Sequence, residues 1–345
     1  MEWLAEHGSR RKATINDVAR LAGVSKKTVS RVINRSPLVR EGTRADVNTI
    51  IETLGYVPNP QARGLAFRHS FLIGMIYDNP NPQYVVNMQQ GILDGLRGSG
   101  YDLVVHPCDR NNPDFVREAR TFIEHQKLFG VILTPSVSED TRLARELLDI
   151  GCAYVRIASV ALDSDDHMLV SHDRLGAIEA ARHLCELGHR KVGFIAGREG
   201  FRSSVERRAG FEAGLAEFGL ELDDAFVAAG DYTFQSGVEA GLELLSRSPR
   251  STAIFAANDE MAAGVMQALR QLGLRAPDAV SVVGYDDFEI AITVWPRLTS
   301  IHSPTREIGL RAAHRVLSLD GEEVQADAVT PWIVVRESTG PPPAD

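Results

Sequence analysis

The apolar and polar positions of this chain change rhythm near residue 70. Up to there the apolar residues form three sets at helical spacing: Val18, Ala19 and Ala22, then Val29, Val32 and Ile33, then Val47, Ile50, Ile51 and Leu54. Each set makes one stripe that a short helix can turn toward the other two. From residue 71, short β-rich runs alternate with helical patterns, which predicts parallel sheets flanked by helices. FLIGMIYD, YDLVVHPC, GVILTP, AYVRIAS and MLVSH supply one set of strands, and KVGFIAG, AFVAAGD, TAIFAAN, VSVVGYDD and LTSIHS a second. The sets echo each other, since FLIGMIYD followed by GILDGLRGSGYDLVV parallels KVGFIAG followed by GFEAGLAEFGLELDD. Two similar α/β lobes are expected behind a small all-α head.

Residues 15–34, INDVARLAGVSKKTVSRVIN, carry the spacing of a helix-turn-helix DNA reader. Gly23 stands where the chain must turn and accepts positive φ at no steric cost. Ser25 is a good N-cap for the second helix, and Val29, Val32 and Ile33 pack that helix on the first. The opposite face presents Lys26, Lys27, Ser30 and Arg31 near the helix N-terminus, the end that enters a major groove. Such side chains suit guanine edges and phosphates. Thr14, Thr28 and Asn34 join them as candidate DNA contacts. A third helix is expected over residues 43–54, with Thr43 as its possible cap and Gly55 as its stop. Residues 58–66 then offer Asn59 as a cap and Pro60 as first helical residue. So short a helix is marginal in water, and Gly64 weakens it by about 1 kcal/mol relative to alanine. It is expected to order mainly on DNA.

At these residues the sequence resembles the LacI/GalR family of bacterial repressors, and the resemblance covers nearly the whole chain. LGYVPNPQARGLAFRHS (residues 54–70) looks like the family's third-helix exit and hinge. LGHRKVGFIAG, ERRAGFEAGL, FAANDEMAAGVMQAL, VSVVGYDD and LTSIHSP follow in the family's order. The resemblance implies a tail (1–12), a helix-turn-helix domain (13–57), a hinge helix and linker (58–70), and a two-lobed periplasmic-binding-protein-like effector and dimerisation domain (71–338), with a tail at 339–345. Its three crossings would assign about 71–171 and 303–330 to lobe 1, and about 172–302 and 331–338 to lobe 2. It also implies that paired hinge helices enter the minor groove, with Asn59, Ala62 and Arg63 at the DNA and Leu65 wedged into a base step. A homodimer on an inverted repeat is expected, since one reader helix covers one half-site.

Charge narrows the picture. The chain carries a net −9, which would argue against nucleic acid, but residues 1–70 hold twelve Lys/Arg and six Asp/Glu while the remainder holds 25 and 40. The basic head suits DNA and the acidic body repels it. Arg10, Arg11 and Lys12 form a basic run that could touch phosphate or simply be solvated. No segment reaches the ~18 apolar residues of a membrane span. MEWLAEHGSRRK lacks an apolar signal core, and Cys108, Cys152 and Cys185 have neither metal-ligand nor CxxC spacing, so a reduced cytoplasmic protein without cofactor or metal is expected.

Catalysis finds little support. There is no GxGxxG after a strand, no GxxxxGK[ST], no GxSxG and no HExxH among the motifs. His167 and His172 are not at helical i,i+4 spacing, and the acidic pairs Asp165–Asp166 and Asp286–Asp287 are adjacent residues, which point to opposite faces on a strand. The family resemblance instead implies an effector cleft. Arg207 in ERRAGF matches an arginine that binds sugar hydroxyls or an anion, and Asp286 an acceptor for hydroxyls. Asn258 matches a polar cleft position, with Asp259 read as the helix cap beside it, and Tyr232 an aromatic that stacks on ligand. Asp78, Asn79, Tyr84 and Ser303, with Thr305, would line the cleft from the first lobe. Arg156 stands where several members carry an acid. It would pair with Asp78 across the cleft or join Arg207 in selecting a carboxylate or phosphate. The acceptor-rich set favours a neutral saccharide, with a purine or anionic metabolite as the alternative. A ligand-independent architectural DNA protein and a solute-binding module are the readings from other classes.

Overall fold

The computed structural model describes residues 13–33, 36, 38–56, 70–318 and 329–343. The chain divides into two compact units, Met1–Ser70 and Phe71–Asp345.

In the first unit, α1 (Ile15–Leu21), α2 (Lys26–Ile33) and α3 (Glu41–Leu54) bring their three stripes together. Val18, Val29 and Val47 are fully buried, and Ala19 and Val32 nearly so. Asp17 Oδ2 accepts from the backbone N and the Oγ1 of Thr14 at 3.0 and 2.6 Å, fixing the start of α1. Gly23 makes the turn at φ 61°, and Ser25 Oγ accepts from Thr28 N at 3.1 Å. The third helix starts before Thr43, with Arg40 at its cap position. Glu41 then sits in the first turn, where a carboxylate meets the helix's positive end. Gly55, at φ 57°, ends it.

The second unit holds two sheets. Lobe 1 orders its strands β2-β1-β3-β4-β5, comprising β1 (Leu72–Tyr77), β2 (Asp102–Pro107), β3 (Gly130–Leu133), β4 (Ala153–Ala158) and β5 (Met168–Val170), all parallel. Around it lie α4 (Pro82–Leu96), α5 (Phe115–Gln126) and α6 (Thr141–Asp149). Lobe 2 contains α7 (Asp173–Glu186), β6 (Val192–Ile195), α8 (Arg202–Ala216), β7 (Val227–Ala228), α9 (Phe234–Leu245), β8 (Ala253–Ala256), α10 (Asp259–Gln271), β9 (Ser281–Asp286), α11 (Glu289–Thr293) and β10 (Thr299–His302). After β10 the chain returns to lobe 1 as α12 (Thr305–Ser318), whose Ile308, Ala312, Ala313 and Val316 are buried against Ile73, Met88 and Ile92. It finishes in lobe 2 as β11 (Trp332–Val334), which pairs antiparallel with β10 at the end of the order β11-β10-β9-β8-β6-β7.

Three helix pairs touch backbone to backbone because glycine stands at the crossing. A Cβ on Gly91 of α4 would lie 2.0 Å from Arg306 O of α12. One on Gly210 of α8 would lie 2.2 Å from Arg174 O of α7, and one on Gly237 of α9 2.3 Å from Met261 O of α10. These crossings hold the helices close over the sheets, so the strand ends of each lobe form firm walls.

Candidate DNA-reading helix and effector cleft

On the head, Ser25, Lys26 and Lys27 are exposed at the start of α2, while Thr28, Ser30 and Arg31 are half-buried along it. The buried Val29 and Val32 dictate this, since they turn the opposite face outward. Ser25 and Thr28 share a hydroxyl contact of 2.9 Å, and the hydroxyl of Thr14 is already given to Asp17. Asn34, Asn59, Ala62, Arg63 and Leu65 lie outside the described residues.

Between the lobes of the second unit runs a cleft lined by the strand ends and the helices that follow them. Of the residues singled out from sequence, Asn79, Tyr84, Arg207, Tyr232, Asn258, Asp286, Ser303 and Thr305 meet there. Two others do not. Arg156 is buried inside lobe 1, where Nε donates to Ser138 O at 2.7 Å and Nη1 pairs with Asp163 Oδ2 at 3.2 Å. Its partner is therefore Asp163 rather than Asp78, because β4 turns that side chain into the lobe and the loop after β4 supplies the acid. Asp78 Oδ2 accepts from Arg110 N at 3.3 Å and does not line the cleft. Asn258, not Asp259, caps α10: its Oδ1 accepts from Met261 N at 3.0 Å, and its Nδ2 donates to Tyr232 O at 3.0 Å. Asp259 instead accepts from Phe288 N at 2.8 Å and from the Ser300 hydroxyl.

The centre of the cleft is a charge cluster that sequence reading only half identified. Arg207 donates from Nε to Asp173 Oδ1 at 2.8 Å, from Nη2 to Asp286 Oδ1 at 3.3 Å and from Nη1 to Ala257 O. Its guanidinium lies over the ring of Tyr285, 3.6 Å from the centroid. Asp173, at the start of α7, also accepts from the hydroxyls of Ser159, at 2.7 Å, and Ser171. Burial alone would raise the carboxyl of Asp173, but Arg207 and the two hydroxyls outweigh it and hold the group below the usual carboxylate range. Asp286 goes the other way, pushed up to about 7 by burial, with the pull of Arg207 opposed by the charge of Asp173. Tyr232, pushed up to about 12 by burial, shares a 3.0 Å hydroxyl contact with Ser203. Tyr232 and Asp286 hold φ of 71° and 108°, strained backbone that collects where a site needs it.

Asn81 caps α4 through Oδ1, accepting from Gln83 N and Tyr84 N at 2.9 and 3.3 Å. Its Nδ2 is buried in the cleft wall with no hydrogen-bond partner. Asn81 was missed from sequence, although an N-P pair before a helical pattern could have signalled the cap; the left-over amide donor had no signal in sequence. Asp173 and Ser171 could have been suspected from their place just after β5, at a strand's C-terminal end. Met88, Pro135, Phe201, Ser203 and Ile308 also line the walls. At the cleft edge the lobes are tied directly. Arg110 Nη2 donates to Gly200 O at 2.6 Å, and Arg202 N donates to both oxygens of Glu139 at 3.3 Å. Arg110 also pairs with Glu139 at 3.4 Å.

A helix-turn-helix head joined to a two-lobed α/β clamshell with a polar interlobe cleft defines a DNA-binding transcriptional regulator. Residues 14–59 match the bacterial regulatory proteins of the lacI family, and residues 181–339 match the periplasmic binding protein-like domain. The chain is 34% identical to the HTH-type transcriptional regulator CelR of Thermobifida fusca over 95% of this chain and 99% of that one. It also resembles a solved CelR–cellobiose complex (31% identity, 94% and 99% coverage, TM-score 0.71). A Lac repressor dimer bound to operator and an anti-inducer matches with 28% identity, 96% and 100% coverage and TM-score 0.78. The chain belongs to the LacI family of transcriptional regulators. Among the described residues no helix is long and apolar enough to cross a membrane.

Proposed function

We propose that this protein is a cytoplasmic repressor that binds a palindromic operator as a homodimer and is released by a neutral saccharide, controlling genes of carbohydrate transport or catabolism. The observation that carries the effector class is the composition of the cleft: two carboxylates, Asp173 and Asp286, against one guanidinium, Arg207, beside a buried unpartnered amide donor on Asn81. Hydroxyl groups both donate and accept, so a polyol can meet Asn81 Nδ2 and a carboxylate of Asp286 together. Tyr84, Phe201 and Tyr232 offer apolar faces to the ring of a sugar. The similarity to a CelR–cellobiose complex and to a ribose operon repressor points the same way. The absence of Arg156 from the cleft removes the second cation that an anionic metabolite would use.

The space left in the cleft is about 50 Å³, on the order of four water molecules. Entry of a saccharide therefore requires the lobes to part and close again around it. Differential affinity for the two lobe arrangements would bias operator binding, and a coupling of about 1 to 3 kcal/mol is typical of such switches. The reader contacts are Ser25, Lys26, Lys27, Thr28, Ser30 and Arg31, with the hinge at 58–70 and Leu65 transmitting lobe movement to the minor groove.

The test is fluorescence anisotropy of the full chain on inverted repeats upstream of its own and neighbouring genes, with mono- and oligosaccharides, cellobiose and ribose among them, and with purines. Release by a neutral saccharide supports the reading. Release only by a purine or an anion refutes it.

A further inference from the structure

Among the described residues that line the cleft Arg207 is the one cation, and each of its three nitrogens already donates a hydrogen bond to the protein. Nε is held by Asp173, Nη1 by Ala257 O and Nη2 by Asp286. Of the two carboxylates, Asp173 is the more firmly placed: it is 4% exposed and is itself fixed by Ser159 and Ser171. The guanidinium is thus neutralised from below, flattened on Tyr285 at 3.6 Å and offered to the cleft without spare charge.

We propose that Asp173 is a specificity-determining residue, which by clamping Arg207 makes the cleft select neutral saccharides and reject their acidic and phosphorylated forms. The proposal rests on the saccharide reading above and deepens it. A sugar acid placed against this cluster would meet two acidic side chains and a guanidinium whose three nitrogens are each already bonded to the protein. Either it displaces Asp173 from Arg207, stranding a buried charge, or it lies against like charge. Both routes weaken the acid. Asp173 acts through Arg207 and is a positioning residue in this sense. Replacing it with asparagine keeps the shape and the hydrogen-bond acceptor but returns the positive charge of Arg207 to the cleft.

The experiment is calorimetric titration of the full chain, wild type and Asp173→Asn, with matched pairs such as glucose and glucuronate, galactose and galacturonate, and cellobiose and cellobionate, and separately with inorganic sulfate. The wild type is expected to favour the neutral partner by about 100-fold or more, the size of a buried like-charge clash. In Asp173→Asn the ratio should narrow by at least about tenfold, chiefly through tighter acid binding, and Arg207→Gln in that background should erase the gain. A merely structural defect would weaken both partners alike and leave the ratio unmoved. An unchanged ratio, a wild type that prefers the acid, or a gain that survives Arg207→Gln overturns the proposal. If no neutral sugar binds the wild type, the saccharide reading fails, and glucuronate and sulfate still decide the role of Asp173. Binding to Asp173→Asn at least about tenfold tighter than to wild type supports it, and equal binding refutes it. Asp173→Ser serves as the second variant should the asparagine protein fail to fold.

Discussion

Replacing Asp286 by asparagine should stabilise the protein at alkaline pH and do nothing in mild acid. Folded, this carboxyl is pushed up to about 7, mainly by burial, with Arg207 pulling it down and Asp173 pushing it up. Unfolded, an aspartate titrates near about 3.9. The folded-state value lies above the unfolded one, so the fold prefers the protonated form. That preference is fully present below about pH 4 and is lost as pH rises through about 7. Three units at about 1.4 kcal/mol each give a cost on the order of 4 kcal/mol for the ionised group above neutrality. Asparagine preserves the oxygen that accepts from Arg207 Nη2 and tolerates the φ of 108° held there better than most residues. For a unit of this size 1 kcal/mol moves Tm by about 2 to 4 °C, so the variant should melt on the order of 8 to 16 °C higher at pH 8 and level with wild type near pH 4. Scanning calorimetry of the transition of the effector unit, from pH 4 to 9, reads this directly. A variant that melts lower than wild type at pH 8, or by a constant offset at every pH, would show that folding does not raise the carboxyl of Asp286 and that it acts as an ordinary salt-bridge partner of Arg207.

Three further outcomes are open to measurement. Gly91→Ala drives a methyl group into the backbone of α12 and should lower stability by about 1 to 3 kcal/mol in denaturant titration; a loss under about 0.5 kcal/mol would mean the helices part without strain. Arg110→Ala removes the bond to Gly200 that ties lobe 1 to lobe 2 and the ion pair that steadies Glu139 for its own contact with Arg202 N, and stopped-flow release of a bound effector should accelerate several-fold, an unchanged rate refuting the tie. Lys27→Ala, at an exposed position on α2, should weaken operator binding and relax discrimination against mismatched half-sites, a loss of order 1 to 3 kcal/mol if it reads a base. A uniform loss across all sequences would place it on phosphate.

Much of the architecture is legible because it follows periodicity. Val18, Val29 and Val47 announce three helices that must share a core, and the alternation of FLIGMIYD with helical stretches announces a parallel sheet. The cleft is legible where a strand end carries a polar residue, as with Asn79, Asn258 and Asp286. What sequence could not give is pairing across elements. Arg156 invites a partner across the cleft, but its rotation on β4 sends it to Asp163, and strand register is invisible in a single sequence. Asp173 reads as an ordinary first-turn acid and becomes a clamp only because α8 brings Arg207 within 2.8 Å. The unpartnered amide of Asn81 is likewise a remainder, known only once the groups around it have been placed in three dimensions.

The glycine crossing of α4 and α12 joins two segments more than two hundred positions apart in the chain into one wall of the cleft. Asn81, Tyr84 and Met88 come from one, and Ser303, Thr305 and Ile308 from the other. With main chain against main chain there is no side-chain cushion to absorb a mismatch. Anyone building a chimeric regulator with altered ligand taste must therefore transplant residues 81–96 and 303–318 together, because either segment alone would arrive without the counterpart it was shaped to touch.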